Sequence, residues 1–177
     1  VVAVSLKKKI GMGRIGQAVA QRAAGFRMKV LYYSRRLIDR QRNAWESRTL
    51  PALLGESDFV TIHVPLTAET RHLIGVHQLA QMRRTAILIN TARGPIVDEA
   101  ALAAALRSGT IAGAGLDVFE DEPRLHPDLA ALKQVVLLPH LGSATLAARV
   151  EMGMICLKNV EAVLGGLSAP NRISQRG

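Results

Sequence analysis

Three polar side chains stand just past apolar runs of strand length. Arg93 follows Ile87–Asn90 in Asn90-Thr91-Ala92-Arg93-Gly94-Pro95. Glu122 follows Asp117-Val118-Phe119 in Glu120-Asp121-Glu122-Pro123. His140 follows Val135–Leu138 in Pro139-His140-Leu141-Gly142-Ser143. Parallel sheets bind ligands outside the carboxyl ends of their strands, so a guanidinium, a carboxylate and an imidazole could converge on one crevice. Taken singly, each has a plainer reading: an exposed arginine, a solvated glutamate in an acidic loop, a core histidine.

A fourth feature carries binding chemistry. Gly11-Met12-Gly13-Arg14-Ile15-Gly16 reads as Gly-x-Gly-x-x-Gly. The first glycine makes a tight turn out of a strand, the second admits a pyrophosphate close to the backbone, and the third lets the next helix pack on the sheet. That helix would aim its N-terminal N–H groups and positive dipole end at the phosphates. An acidic residue about 20 positions on would bind a ribose 2′-hydroxyl. Here the strand Lys29–Tyr33 runs instead into Ser34-Arg35-Arg36, with no carboxylate. A hydroxyl and two guanidiniums suit a 2′-phosphate, which predicts NADP(H) as the preferred cofactor and NAD(H) as the alternative.

The elements that must position these residues follow from the patterning. Apolar runs at Val30–Tyr33, Phe59–Val64, Ala86–Asn90, Ile111–Val118 and Val135–Leu138 alternate with helical patterns. The helical patterns cover Arg14–Ala24, Leu50–Gly55, Val76–Met82, Glu99–Arg107 and Ser143–Leu164. Alternation of this kind predicts an α/β fold, a Rossmann-type doubly wound parallel sheet whose strands are apolar on both faces. Asp98 is the expected N-cap of the helix from Glu99, and Gly109 its stop. Gly113-Ala114-Gly115 lacks a third glycine and a following helix, so it reads as a strand with close backbone packing. The N-terminus is less regular. Either Val1–Leu6 supplies the first strand and Lys7-Lys8-Lys9 lie in an altered turn, or this end is damaged or foreign sequence; a first residue of Val also suggests missing sequence upstream.

Composition narrows the class. The chain has 177 residues, 49% hydrophobic and 3% aromatic, which fits one folded domain with an aliphatic core and argues against disorder. No apolar run is long enough to cross a membrane. The single cysteine, Cys156, cannot form an internal disulfide, which predicts a cytoplasmic protein with Cys156 as a small buried residue. The net charge of +9 is concentrated: residues 1–48 hold twelve Lys/Arg against Asp39 and Glu46. That excess surrounds the glycine turn, and so few aromatics offer little to stack bases on, so no nucleic-acid partner is expected. The histidines show no ligand-like spacing with Cys or carboxylates, so no metal is expected.

The ordered blocks resemble a known family. The glycine turn, Tyr33-Ser34-Arg35-Arg36, His63-Val64-Pro65-Leu66-Thr67, Asn90-Thr91-Ala92-Arg93-Gly94, Gly115-Leu116-Asp117-Val118-Phe119-Glu120-Asp121-Glu122-Pro123 and Pro139-His140-Leu141-Gly142-Ser143 are similar to the D-isomer-specific 2-hydroxyacid dehydrogenases. Within that family the likeness is greatest to NADPH-preferring glyoxylate/hydroxypyruvate reductases, over about residues 10 to 167. The resemblance implies roles for particular residues. Arg93 would hold the substrate carboxylate and carbonyl, His140 would protonate the carbonyl oxygen, and Glu122 would be the carboxylate paired with His140. Asp117 would bind the nicotinamide carboxamide, with Thr91, Ala92, Gly142 and Ser143 lining that ring. Gly11, Gly13, Arg14, Ile15 and Gly16 would hold the pyrophosphate, and Val64, Pro65 and Thr70 would form the adenine-side wall. It also implies a homodimer formed through this domain and a small 2-oxoacid substrate. Residues 1–167 would be the cofactor domain and 168–177 a remnant of a largely absent substrate domain. A nucleotide-binding module without catalysis, like the family's corepressor relatives, or an inactive truncated product stays open as the alternative.

Overall fold

The computed structural model of the chain describes residues 2–4, 13–34 and 45–172. Gly11, Arg35, Arg36 and the lysines at 7–9 lie outside the described residues. Two compact units divide between Pro139 and His140.

The first unit is a parallel sheet with helices between its strands. In chain order it contains β1 (Val2–Val4), α1 (Arg14–Gly25), β2 (Leu31–Tyr33), β3 (Glu46–Ser47), α2 (Leu50–Glu56) and β4 (Phe59–Ile62). Then come α3 (Val76–Ala80), β5 (Ile87–Asn90), α4 (Glu99–Arg107), β6 (Gly113–Leu116), α5 (Pro127–Ala130) and β7 (Val135–Leu137). The strand order is β3-β2-β1-β4-β5-β6-β7, and every pairing is parallel. Val2 pairs with both Leu31 and Val60, so β1 is central and the order reverses beside it. Open α/β sheets bind ligands at that reversal. Within the stretch Val1–Leu6, Val2–Val4 supply the first strand.

Side-chain alternation sorts the strands into two faces. Leu31, Val60, Ile62 and Leu88 join the main core with Leu53, Leu54, Leu79, Leu102 and Leu106. Val30 and Tyr32 pack instead with Ala20 and Ala23 of α1. The small residues of α1 let it lie close to the strands, and Gly16 is buried at its start. On this second face Phe59, Thr61 and Ile89 border an apolar groove of about 370 Å³, flanked by Val19 and Phe26.

Local signals explain most boundaries. The Asp98 side chain accepts from the Ala101 N–H at 2.9 Å and starts α4. Gly109 has φ +68°, the left-handed stop expected after it. Gly113 and Gly115 both lie in β6, a strand as expected, but the close packing holds only at Gly113, where a Cβ would fall 2.9 Å from the Gln134 carbonyl; beside Gly115 there is open space. Two elements were not expected: β3, a two-residue edge strand, and α5, a single turn. The expected strand Ile111–Val118 is shorter at both ends, running from Gly113 to Leu116.

The second unit, His140–Gly177, contains α6 (Leu146–Leu164). Thr145 caps it by accepting from the Ala148 N–H at 3.2 Å, so the helix starts after Ser143 rather than at it. No residue of α6 is buried. Cys156, expected to be buried, is exposed for that reason.

Candidate cofactor and catalytic site

At the carboxyl tips of β4 and β5, next to the start of α1, lies a cleft of about 620 Å³. Gly13 to Gly16 form one wall, Val64 to Leu66 a second, and Thr91, Ala92 and Arg93 a third. Eight of the residues expected at a dinucleotide site are thus gathered in one place, together with Arg93. The α1 wall is built for an anion. Gly13 is the N-cap with extended backbone, no side chain caps the helix, and its first turn holds no acidic residue. The first-turn N–H groups and the helix dipole therefore face the cleft without an internal competitor. Arg14, exposed at the first helical position, adds a full positive charge beside them. This donor set fits the pyrophosphate of a nicotinamide dinucleotide, and the apolar Ile15 and Leu66 offer surface for a planar group. Ser34 directly follows β2 and is half-buried.

The Val64–Pro65–Leu66 wall is held from behind. Thr70 is 1% exposed, and its hydroxyl donates to the Pro65 carbonyl at 2.7 Å while accepting from the Thr67 N–H at 2.8 Å. Thr70 thus staples the turn that presents Pro65 and does not itself line the cleft. His63 does line it, and its Nε2 lies 3.1 Å from the Thr61 hydroxyl. Burial pushes the His63 imidazole below its ordinary range by disfavouring its charged form.

Arg93 is exposed at the end of a turn that the buried Asn90 side chain shapes. Asn90 Oδ1 accepts from the Ala92 N–H at 3.1 Å, and its Nδ2 donates to the Arg93 carbonyl at 3.0 Å. The Asn90 carbonyl also accepts from the Asp117 N–H at 3.0 Å, joining this turn to the segment after β6. Gly94 extends the join. A Cβ built there would fall on the Phe119 carbonyl, so the two backbones lie against each other.

The segment after β6 carries Asp117, 4% exposed, and Glu122, exposed. Glu122 Oε1 accepts from the Phe119 N–H at 3.1 Å, which fixes the carboxylate against its own loop. Between them, the Glu120 N–H donates to Glu99 Oε1 at 2.8 Å. The Glu120 carboxylate meets His72 Nε2 at 2.6 Å and the Arg71 guanidinium at 3.2 Å. His140, Gly142 and Ser143 open the second unit, and His140 has φ +55°, a left-handed backbone uncommon outside glycine. Among the described residues, no group of three or more His, Cys, Asp or Glu could hold a metal, and no helix is long and apolar enough to cross a membrane.

Asn90, Gly94, Glu99 and Leu66 were not singled out from sequence. Asn90 carried a usable signal, being a polar residue at the end of an apolar run. Glu99 carried none, since an acidic residue in the first turn of a helix is ordinary.

Comparison with known proteins adds to this geometry. Residues 9–142 match the family model of the D-isomer specific 2-hydroxyacid dehydrogenase NAD binding domain. A glyoxylate reductase of Pyrococcus horikoshii is 52% identical over 169 residues, covering 94% of this chain and 50% of that protein. The chain spans about half the length of the relatives it matches. Among solved structures, an NADPH-dependent glyoxylate/hydroxypyruvate reductase of Sinorhizobium meliloti, complexed with NADP and malonate, superposes with a TM-score of 0.88 at 36% identity. It is covered over 53% of its length and covers 97% of this chain. A D-lactate dehydrogenase of Lactobacillus jensenii with NAD+ gives a TM-score of 0.85 at 34% identity, covering 98% of this chain and 56% of that one.

Proposed function

We propose, from the premise that the chain belongs to the D-isomer specific 2-hydroxyacid dehydrogenase family and carries its NAD binding domain, that it is the cofactor half of an NADPH-preferring 2-oxoacid reductase. The substrate is a small 2-oxoacid, glyoxylate or hydroxypyruvate, reduced to the D-2-hydroxyacid. One observation supports this most: the open N-terminus of α1 and the Arg93 turn wall the same 620 Å³ cleft.

When bound, the reduced nicotinamide supplies the hydride. The chain's own residues bind, orient and protonate. Arg14 and the first-turn N–H groups of α1 hold the pyrophosphate, with Ser34, Arg35 and Arg36 on the 2′-phosphate. Val64 and Pro65 wall the adenine side, and Asp117 accepts from the carboxamide beside Thr91, Ala92, Gly142 and Ser143. Arg93 grips the substrate carboxylate with a two-pronged geometry that lysine lacks. The His140 imidazolium gives its N–H proton to the carbonyl oxygen as that oxygen gains charge. Glu122 is the carboxylate paired with that imidazole. The protein works in the cytoplasm, and the exposed apolar residues of α6, Leu146, Val150, Leu157 and Val160 among them, serve a homodimer contact that light scattering would detect as twice the chain mass.

Loss of reduced-nicotinamide absorbance with glyoxylate or hydroxypyruvate tests the reading. Turnover is expected, falling about 10²–10⁴-fold in His140→Ala with cofactor affinity kept. Dinucleotide binding without turnover of either oxoacid would make the chain a non-catalytic binding module instead.

A further inference from the structure

Glu99 stands apart from the residues that wall the cleft, yet it is a buried acidic residue. A first-turn glutamate normally extends into solvent, where it favours the helix N-terminus at little cost. This one is 4% exposed. Burial pushes its carboxyl above the usual range, with Glu120 and Asp121 adding to the rise and the Glu120 N–H and His126 opposing it. A buried carboxylate is costly unless its hydrogen bonds hold it. The bond it makes goes to one place, the backbone N–H of Glu120 at 2.8 Å.

That amide is the midpoint of the loop between Asp117 and Glu122. Gly94 presses on the same peptide from the Arg93 turn, with no room for a Cβ. The Glu120 side chain is meanwhile taken by His72 and Arg71, and the His72 N–H donates to the Pro95 carbonyl at 2.8 Å. Three segments, 71–72, 93–95 and 117–122, therefore meet around Glu120, and Glu99 anchors its amide from α4.

We infer that Glu99 is a positioning residue: its buried carboxylate locks the Glu120 amide and thereby sets where the 117–122 loop offers Asp117 to the nicotinamide. The inference rests on the reductase reading above. It assigns Glu99 no contact with cofactor or substrate.

The test compares two ligands of the full chain, NADPH and 2′-phospho-ADP-ribose, which shares everything but the nicotinamide ring. In the wild type NADPH binds more tightly. Glu99→Ala weakens NADPH about tenfold and leaves 2′-phospho-ADP-ribose within about twofold. Glu99→Gln, whose amide oxygen still accepts from Glu120, restores NADPH to within about threefold of wild type. A general loosening of the fold would weaken both ligands alike. Glu99→Asp keeps the charge and helix position but shortens the arm, and it shows the same selective loss to a smaller extent, so the test survives if the alanine variant does not fold. Equal losses for both ligands, no loss for either, or failure of the glutamine variant to rescue would overturn the inference alone. Equal wild-type affinity for the two ligands would overturn it too, because the loop would then grip no nicotinamide. A wild-type chain that binds neither ligand removes the reductase reading, and this inference with it.

Discussion

The two ends of the cleft are constructed on opposite principles. At the α1 end, the N-cap is a glycine, no side chain caps the helix, and the first-turn N–H groups and Arg14 are left facing the cleft. At the Arg93 end, polar groups are spent internally: Asn90 on Ala92 and Arg93, Glu99 on Glu120, Glu122 on Phe119, Glu120 on Arg71 and His72. The difference teaches what each end is for. A binding surface must leave donors open for its ligand, whereas a surface that aims side chains must satisfy its backbone so that the aim does not drift. Mutations should therefore separate: the saturated end answers in stability, the open end in affinity.

The largest effect falls on Gly94→Ala. Its Cβ would meet the Phe119 carbonyl, backbone against backbone, with no flexible side chain to yield. A loss of about 3 kcal/mol is expected in urea unfolding; a loss below about 0.5 kcal/mol would mean that the two segments are not in contact. Next comes Asn90→Ala, which strands the Ala92 N–H and the Arg93 carbonyl and costs about 1–3 kcal/mol by the same measurement.

A smaller effect sharpens the contrast through pH. Because the folded carboxyl of Glu99 lies above its ordinary range, the folded state binds that proton more tightly than the unfolded chain does. Its contribution to stability is fully present below the ordinary carboxylate value and is lost as pH rises through the folded value. Glu99→Gln has no such loss. Its melting temperature relative to wild type should rise from pH 4 to pH 7, and a difference that stays flat or falls would contradict the assignment. Smallest in stability is Arg14→Ala, expected within about 0.5 kcal/mol of wild type in urea. Its signature is weaker dinucleotide binding, and a stability cost as large as that of Asn90→Ala would erase the distinction between the two ends.

Much of this architecture was legible because a parallel sheet buried on both faces writes itself as apolar runs between helical patterns. Val60, Ile62 and Leu88 could be read that way, as could Gly13, Arg14 and Gly16 at the start of α1 and Arg93 in the turn after β5. The strand β3 could not, since Glu46 and Ser47 are polar and take their strand character only from pairing with Leu31 and Tyr32. The supports of the site were hidden for a different reason. Glu99 finds its hydrogen-bond partner only in Glu120, 21 residues later. The need for glycine at 94 comes from Phe119, and the role of Thr70 from the Pro65 carbonyl. Such relations are tertiary. A local pattern names the residues at strand tips but not the groups that brace them.

Parallel equilibrium titration of this chain with NADPH and NADH, followed by nicotinamide fluorescence, tests the central claim most directly. Saturable binding with NADPH the tighter ligand is expected, with the preference reduced when Arg35 and Arg36 are both replaced by alanine. Absence of binding by either dinucleotide would contradict the cleft as a cofactor site, and tighter binding of NADH would contradict Ser34-Arg35-Arg36 as the 2′-phosphate pocket.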